Sequence, residues 1–406
     1  MEQYIQSIKT RVVERMDMAK DTSDEEILQI IDEEILGQEE TRCLSVWEKI
    51  RIQKDVFNGL RRLDVLQELV ENRKITEIMI NGPDNIFIEE AGRIRQWDKQ
   101  FESEEKLQDV VQQIVSKANR VVNEASPIVD TRLEDGSRVN VVLPPVALNG
   151  PIVTIRKFPE KAIDMEQLIG LGSITEEVAQ FLQKLVQAKA NIFISGGTGS
   201  GKTTFLNVLS NYIPQDERII TIEDSAELQI KNIPNLVKLE TRNANVEGKN
   251  AISIRDLIKS ALRMRPDRIV VGEVRDAAAI DMLTALNTGH DGSLSTGHAN
   301  SPEDMLSRLE TLVLMGMDIP LMAVRRQIAS ALEIIVHLGR LRDKSRKVLQ
   351  IVEVLGLEDG EIKTRPLYQF VEEGEDEKGK VIGSLKPTGY ALEQTEKLER
   401  AGIVPY

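Results

Sequence analysis

Residues 196–204 read Gly-Gly-Thr-Gly-Ser-Gly-Lys-Thr-Thr, and no other run constrains this chain as tightly. Gly196, Gly201, Lys202 and Thr203 fit the phosphate-loop pattern G-x-x-x-x-G-K-[ST]. Gly197, Thr198, Gly199 and Ser200 fill its variable positions, and Thr204 follows. The spacing serves one chemistry. Glycines let backbone N–H groups close around phosphates, Lys202 reaches the β- and γ-phosphate oxygens, and the Thr203 hydroxyl can ligate Mg2+. The surroundings agree with the motif. Residues 191–195 (N-I-F-I-S) form a short apolar run suited to a buried parallel strand. Phe205, Leu206, Val208 and Leu209 follow at helical spacing, so strand, glycine-rich loop and helix occur in the required order.

A chain of 406 residues has room for two or three domains, and 41% hydrophobic with 29% charged residues is a globular composition. No apolar run of about 18 residues occurs, so no membrane span is expected. The start, M-E-Q-Y-I-Q, lacks the basic and apolar regions of a signal peptide, which leads to the expectation of a cytoplasmic protein. A single cysteine, Cys43, excludes an intramolecular disulfide and any cysteine-based zinc module. The net charge of −14 argues against non-specific binding to nucleic acid or anionic lipid, which is mostly counterion release at basic surfaces. No stable nucleic-acid partner is therefore expected.

Residues 1–70 read as a helical segment. Ile27, Ile30, Ile31 and Ile35 recur near three and four, and a second periodic stretch over 46–70 carries Ile50, Val56, Phe57, Leu60, Leu63, Leu66 and Leu69. Trp47 and Cys43 read as core or interface residues. From Ile75 the period changes to two. Runs at 75–81 and 86–89 flank a Gly-Pro-Asp-Asn turn, a strand candidate lies at 92–97, a helix spans about 103–121, and alternation returns over 128–145. Residues 71–150 are thus expected to form an α/β domain, with 151–175 as its connector. Over 176–406 strands and helices alternate, as in an α/β domain with a parallel sheet, and Glu223 and Glu273 each close an apolar strand. Residues 347–357 and 361–370 read as a hairpin, and the charged run 372–380 as a solvated loop.

Phosphoryl transfer needs charge neutralisation, a metal and a group that orients the attacking water. Lys202 and Thr203 meet the first two needs, and Glu223 and Glu273 are the carboxylates for the third. His290 and His298 lie eight residues apart in a glycine-rich segment, where a metal pair would lack an evident third ligand. His337, in I-I-V-H-L-G, reads as a structural strand-end residue.

Four stretches carry a family resemblance: the phosphate loop, residues 219–227 (I-I-T-I-E-D-S-A-E), residues 262–276 (L-R-M-R-P-D-R-I-V-V-G-E-V-R-D) and residues 288–300 (T-G-H-D-G-S-L-S-T-G-H-A-N). In this order they resemble the phosphate loop, Asp box, Walker B element and His box of the secretion and type IV filament ATPases. Residues 77–89 (E-I-M-I-N-G-P-D-N-I-F-I-E), 133–140 (L-E-D-G-S-R-V-N), 289–311 and the P-T-G-Y at 387–390 look like the CpaF-type ATPase of Tad (Flp) pili. The resemblance spans about 70–400. It implies a PAS-like α/β domain followed by a RecA-like P-loop NTPase domain with a mostly parallel sheet. By the same resemblance Glu223 activates water and Glu273 supports Mg2+ through water, with the reverse assignment left open. His298 senses the γ-phosphate, and His290 is structural or couples sites. Arg138 and Arg156 contact nucleotide, and Arg132 is a weaker candidate. The implied substrate is ATP with Mg2+, the implied assembly a homo-hexamer on an inner-membrane platform protein, and the implied work the assembly of a Tad/Flp-type pilus or related secretion system, with retraction left open. A DNA-transport motor for conjugation or uptake is the alternative, and a nucleotide-gated scaffold a third reading. The single cysteine departs from relatives that carry a four-cysteine zinc module.

Overall fold

The computed structural model describes residues 1–16, 22–90, 92–158, 162–242, 249–377 and 379–404. The chain divides into two compact units, Met1–Glu160 and Lys161–Tyr406.

In the first unit, helices Glu2–Arg15, Asp24–Gly37 and Val46–Arg61 bury one another's apolar faces. Ile8, Val12, Ile27, Ile31, Ile35, Ile52, Val56 and Phe57 form their core. Ser23 and Ser45 each start a helix with a capping box, the serine accepting from the third helical N–H while Glu26 or Glu48 accepts from the serine backbone. The periodic stretch 46–70 is two helices rather than one. It breaks before Val65–Glu71, where Asp64 adopts φ 53°. Trp47 is not a core residue of this unit. It lies on the outer face of its helix at 82% exposure, and Cys43 is exposed too.

The rest of the unit is a six-stranded sheet: β1 (Ile75–Asn81), β2 (Ile86–Glu90), β3 (Arg93–Gln96), β4 (Ile128–Arg132), β5 (Arg138–Val142) and β6 (Ile152–Arg156). Its order is β3-β2-β1-β6-β5-β4, antiparallel throughout. Helix Glu104–Lys117, capped by Ser103, lays Leu107, Val110, Val111, Ile114 and Val115 in the same core as Ile78, Ile80, Val139, Val141 and Ile155. The expected connector at 151–175 therefore begins too early. Residues 152–156 alternate I-V-T-I-R, bury Val153 and Ile155, and fill the gap between β1 and β5. Residues 159–161 of that connector lie outside the described residues.

The second unit is built on nine strands: β7 (Ile192–Gly196), β8 (Ile219–Glu223), β9 (Leu236–Glu240), β10 (Arg268–Val271), β11 (Leu294–His298), β12 (Ile334–Arg340), β13 (Arg346–Glu358), β14 (Glu361–Glu375) and β15 (Val381–Pro387). They are ordered β15-β14-β13-β12-β7-β11-β10-β8-β9. The six strands from β12 to β9 are parallel, and β13–β15 extend the sheet antiparallel. Apolar side chains fill both faces, which explains why β7, β8 and β10 read as continuous rather than alternating apolar runs. The hairpin is longer than its sequence suggested. β14 continues through Glu375, so the first four residues of the expected solvated loop are strand, held by β15 and by Arg342, which pairs with Glu372 and Glu375.

Beneath the sheet, fully buried Arg268 makes a two-pronged ion pair with Glu217 at 2.6 and 2.8 Å and donates to the carbonyls of Val186 and Gly292. These bonds fix the start of β10 and the approach to β11. No helix among the described residues is long and apolar enough to cross a membrane.

Candidate nucleotide site

β7 ends on Gly196, whose register partners are His298 on β11 and Leu338 on β12. A Cβ on Gly196 would meet the Leu338 carbonyl oxygen at 2.4 Å, so only glycine fits this exit from the sheet. Gly199 and Gly201 take φ of 72° and 96°, the left-handed region open to glycine, and Gly201 stands immediately before helix Lys202–Ser210. The loop therefore delivers Lys202, Thr203 and Thr204 to the first turn of a helix, where backbone N–H groups lack intrahelical acceptors. Ser200 turns back to donate its hydroxyl to the Gly197 carbonyl at 2.9 Å.

Lys202 is the centre of a charged cluster. Its ammonium donates to the Gly197 carbonyl at 3.0 Å and meets Nδ1 of His298 at 3.2 Å. An ammonium only donates, so Nδ1 must accept, and the proton of a neutral ring sits on Nε2. That nitrogen lies 3.0 Å from Oε1 of Glu273, and the other oxygen of Glu273 accepts from Arg275 at 2.7 Å. Lys202, His298, Glu273 and Arg275 form one chain of contacts. Burial lowers the Lys202 pKa against the opposing pull of Glu273. Burial also lowers that of His298, with Glu273 opposing and Lys202 adding to the shift. Arg275 is raised, chiefly by its bond to Glu273.

Glu223 is 3% exposed at the end of β8. Its Oε1 accepts backbone N–H bonds from Glu227 at 2.9 Å and Leu228 at 3.1 Å. A Cβ on Gly272 would lie 2.9 Å from Cγ of Glu223, so the glycine before Glu273 is what lets Glu223 cross beside it. Thr296 fixes that glycine by donating to its carbonyl at 2.7 Å. Sequence reading missed Gly272 and Thr296, although R-I-V-V-G-E displays the glycine openly.

The two histidines of the glycine-rich segment part company. His298 closes β11 beside the phosphate loop, whereas His290 precedes the strand's other end, where its Nδ1 contacts the Ala285 carbonyl at 3.2 Å. His337 is a buried strand residue that shares a 2.8 Å hydrogen bond with Ser195, and burial lowers its pKa.

In the first unit, Arg132 pairs in register with Arg138, and Arg138 with Arg156. Residues directly opposite on antiparallel strands share a face, so three arginines line up across β4, β5 and β6. Like charges in such a row destabilise a sheet unless an anion or acid offsets them. Glu77 on β1 stands next in the row, opposite Arg156.

No cluster of three or more His, Cys, Asp or Glu suited to a metal occurs among the described residues. The oxygen donors at the loop, the Thr203 hydroxyl and the carboxylates at two strand ends, fit Mg2+ instead. That ion keeps waters and takes few protein ligands beside substrate phosphates.

A glycine-rich phosphate loop on a central parallel strand, with carboxylates closing its neighbours, defines the class: RecA-like P-loop proteins. Residues 60–381 match the family described as type II/IV secretion system proteins, and the chain belongs to that family. A putative conjugal transfer protein of Mycobacterium tuberculosis is 36% identical over 305 residues, covering 74% of this chain and 86% of the relative. The conjugal transfer protein TrbB of Rhizobium radiobacter is 32% identical over 76% of this chain and 93% of its own length. The type IV secretion system protein VirB11 of Bartonella henselae is 30% identical over 70% and 90%. The fold is shared with the pilus retraction motor PilT solved with ADP. That match has a TM-score of 0.51 and 19% identity, and covers 84% of this chain and 88% of that one.

Proposed function

We propose that this protein is a Mg2+-dependent ATP hydrolase that drives a secretion, conjugation or filament machine. The chain of contacts from Lys202 through His298 to Glu273 carries the reading, because it gathers a phosphate ligand and a carboxylate around the phosphate loop. Lys202 exchanges its carbonyl and imidazole partners for β- and γ-phosphate oxygens. His298, released at Nδ1, then faces the γ-phosphate. Thr203 and, through water, Glu273 would hold Mg2+, which when bound would neutralise phosphate charge. Glu223, held by two backbone N–H groups, orients the attacking water. Arg138 and Arg156, with Arg132 beside them, add positive charge to a nucleotide, a role that makes turnover depend on assembly.

In this reading the protein works as a cytoplasmic ring, a homo-hexamer, at an inner-membrane platform protein. The CpaF-like stretches favour Tad/Flp-type pilus assembly. Conjugation is a reading of equal standing, because relatives named for conjugal transfer align with about three quarters of the chain. Phosphate release from ATP with and without EDTA tests the enzyme, and loss of release in EDTA is expected. Adding DNA at physiological salt separates the branches. Strong stimulation with a steep salt dependence supports DNA transport, and an unchanged rate supports the pilus reading.

A further inference from the structure

Arg346 begins β13, 147 residues beyond Gly199, yet its Nε donates to the Gly199 carbonyl at 2.8 Å. The side chain also runs past Gly201, the second fixed glycine of the loop pattern, since a Cβ there would lie 3.5 Å from the Arg346 Cδ. Its strand partner is Arg340, the last residue of β12, directly opposite in register. Two guanidinium groups on one face of an antiparallel pair repel each other. Neither makes an ion pair among the described residues, and both are exposed. Arg342, in the same turn, is by contrast neutralised by Glu372 and Glu375. The turn itself is firmly built: Asp343 accepts from the Ser345 backbone and hydroxyl and from the Val381 N–H. A rigid turn that sets two uncompensated arginines in register beside a phosphate loop is arranged for an anion.

We infer that Arg340 and Arg346 form a cationic clamp for the polyphosphate of a bound nucleoside di- or triphosphate. The clamp deepens the nucleotide-hydrolase reading and rests on it. Arg346 keeps Nε on the loop and turns its terminal N–H groups to the phosphates, and Arg340 adds charge from the neighbouring strand. The loop carbonyl holds Arg346 in place before the ligand arrives, so little side-chain order remains to be lost on binding.

The test is calorimetric titration of the full chain with Mg-ADP, pyrophosphate and adenosine, using wild type, Arg340→Ala, Arg346→Ala, Arg346→Lys and Lys202→Ala. Removing a charge-assisted contact to phosphate weakens binding about tenfold. The clamp predicts that loss for ADP and pyrophosphate in Arg346→Ala, a smaller loss in Arg340→Ala, and partial recovery in Arg346→Lys. Adenosine affinity should not change. Thermal unfolding without ligand separates this role from a structural one. The clamp predicts that Arg340→Ala leaves the apo protein at least as stable, because a repulsion is relieved, and shrinks only the ADP-induced rise in Tm. Wild-type ADP affinity in Arg346→Ala and Arg340→Ala would overturn the clamp while leaving the nucleotide site intact. Absence of ADP binding by the wild type would overturn both.

Discussion

The two sheets of this protein collect charge in opposite ways. In the nine-stranded sheet, most of the candidate nucleotide site comes from one contiguous strand–loop–helix run, with Glu223, Glu273 and His298 at the ends of neighbouring parallel strands. In the six-stranded sheet, no single run holds a site. Arg132, Arg138 and Arg156 come from three strands and meet only through register. A parallel sheet places all its C-terminal strand ends on one edge, so a motif at one end finds its partners by topology. An antiparallel sheet alternates direction, and only the pairing register decides which side chains become neighbours.

The sharpest way to break this comparison is to remove a carboxylate at a parallel strand end. Glu223→Gln and Glu273→Gln should each lower turnover by about 10²- to 10⁴-fold, the range for loss of a positioned acid–base group. If one variant keeps wild-type turnover in a phosphate-release assay, that carboxylate leaves the mechanism and the other carries the water. Next in size is the arginine row. Arg156→Ala should reduce turnover by about 10- to 10²-fold, as loss of a transition-state charge does, while nucleotide binding at the loop survives. Unchanged turnover would make the row a structural feature of its own sheet. Gly272→Ala comes third. A methyl group 2.9 Å from the Glu223 Cγ forces a shift that costs about 1–3 kcal/mol, read as a fall in Tm and a displaced carboxylate with slower turnover. The same substitution at Gly37, where nothing lies within 4 Å, serves as control.

The smallest effect is in pH. Burial lowers the pKa of His298 below its ordinary 6.5. The unfolded chain therefore takes up a proton near pH 6.5 that the folded chain still refuses, and stability falls as pH drops through that window until the lowered folded pKa is passed. His298→Gln should flatten part of that decline in unfolding curves. His337, lowered in the same direction, keeps the remainder.

How much of this was legible in the sequence follows from the same contrast. Phosphate loop and strand ends are local, and their residues announced themselves by spacing. The connector at 151–175 was misplaced because β6 is held by strands on both sides, a fact recorded in pairing rather than in its five residues. For Trp47 the spacing left core and interface open, and only the three-helix packing, which leaves its face outside, removes the core. Arg346 had no signal at all, since 147 residues separate it from the carbonyl it holds. His290 and His298 lacked a third ligand as a metal pair in sequence, and the length of β11 keeps them apart in the fold.

The most direct test of the central claim is Mg-ATP turnover per subunit across a range of protein concentrations, with Lys202→Ala beside the wild type. The account predicts turnover that vanishes in the variant and rises with concentration as the arginine row becomes available through assembly. Wild-type turnover in Lys202→Ala would contradict it, because the phosphate loop would then not be where ATP is cleaved.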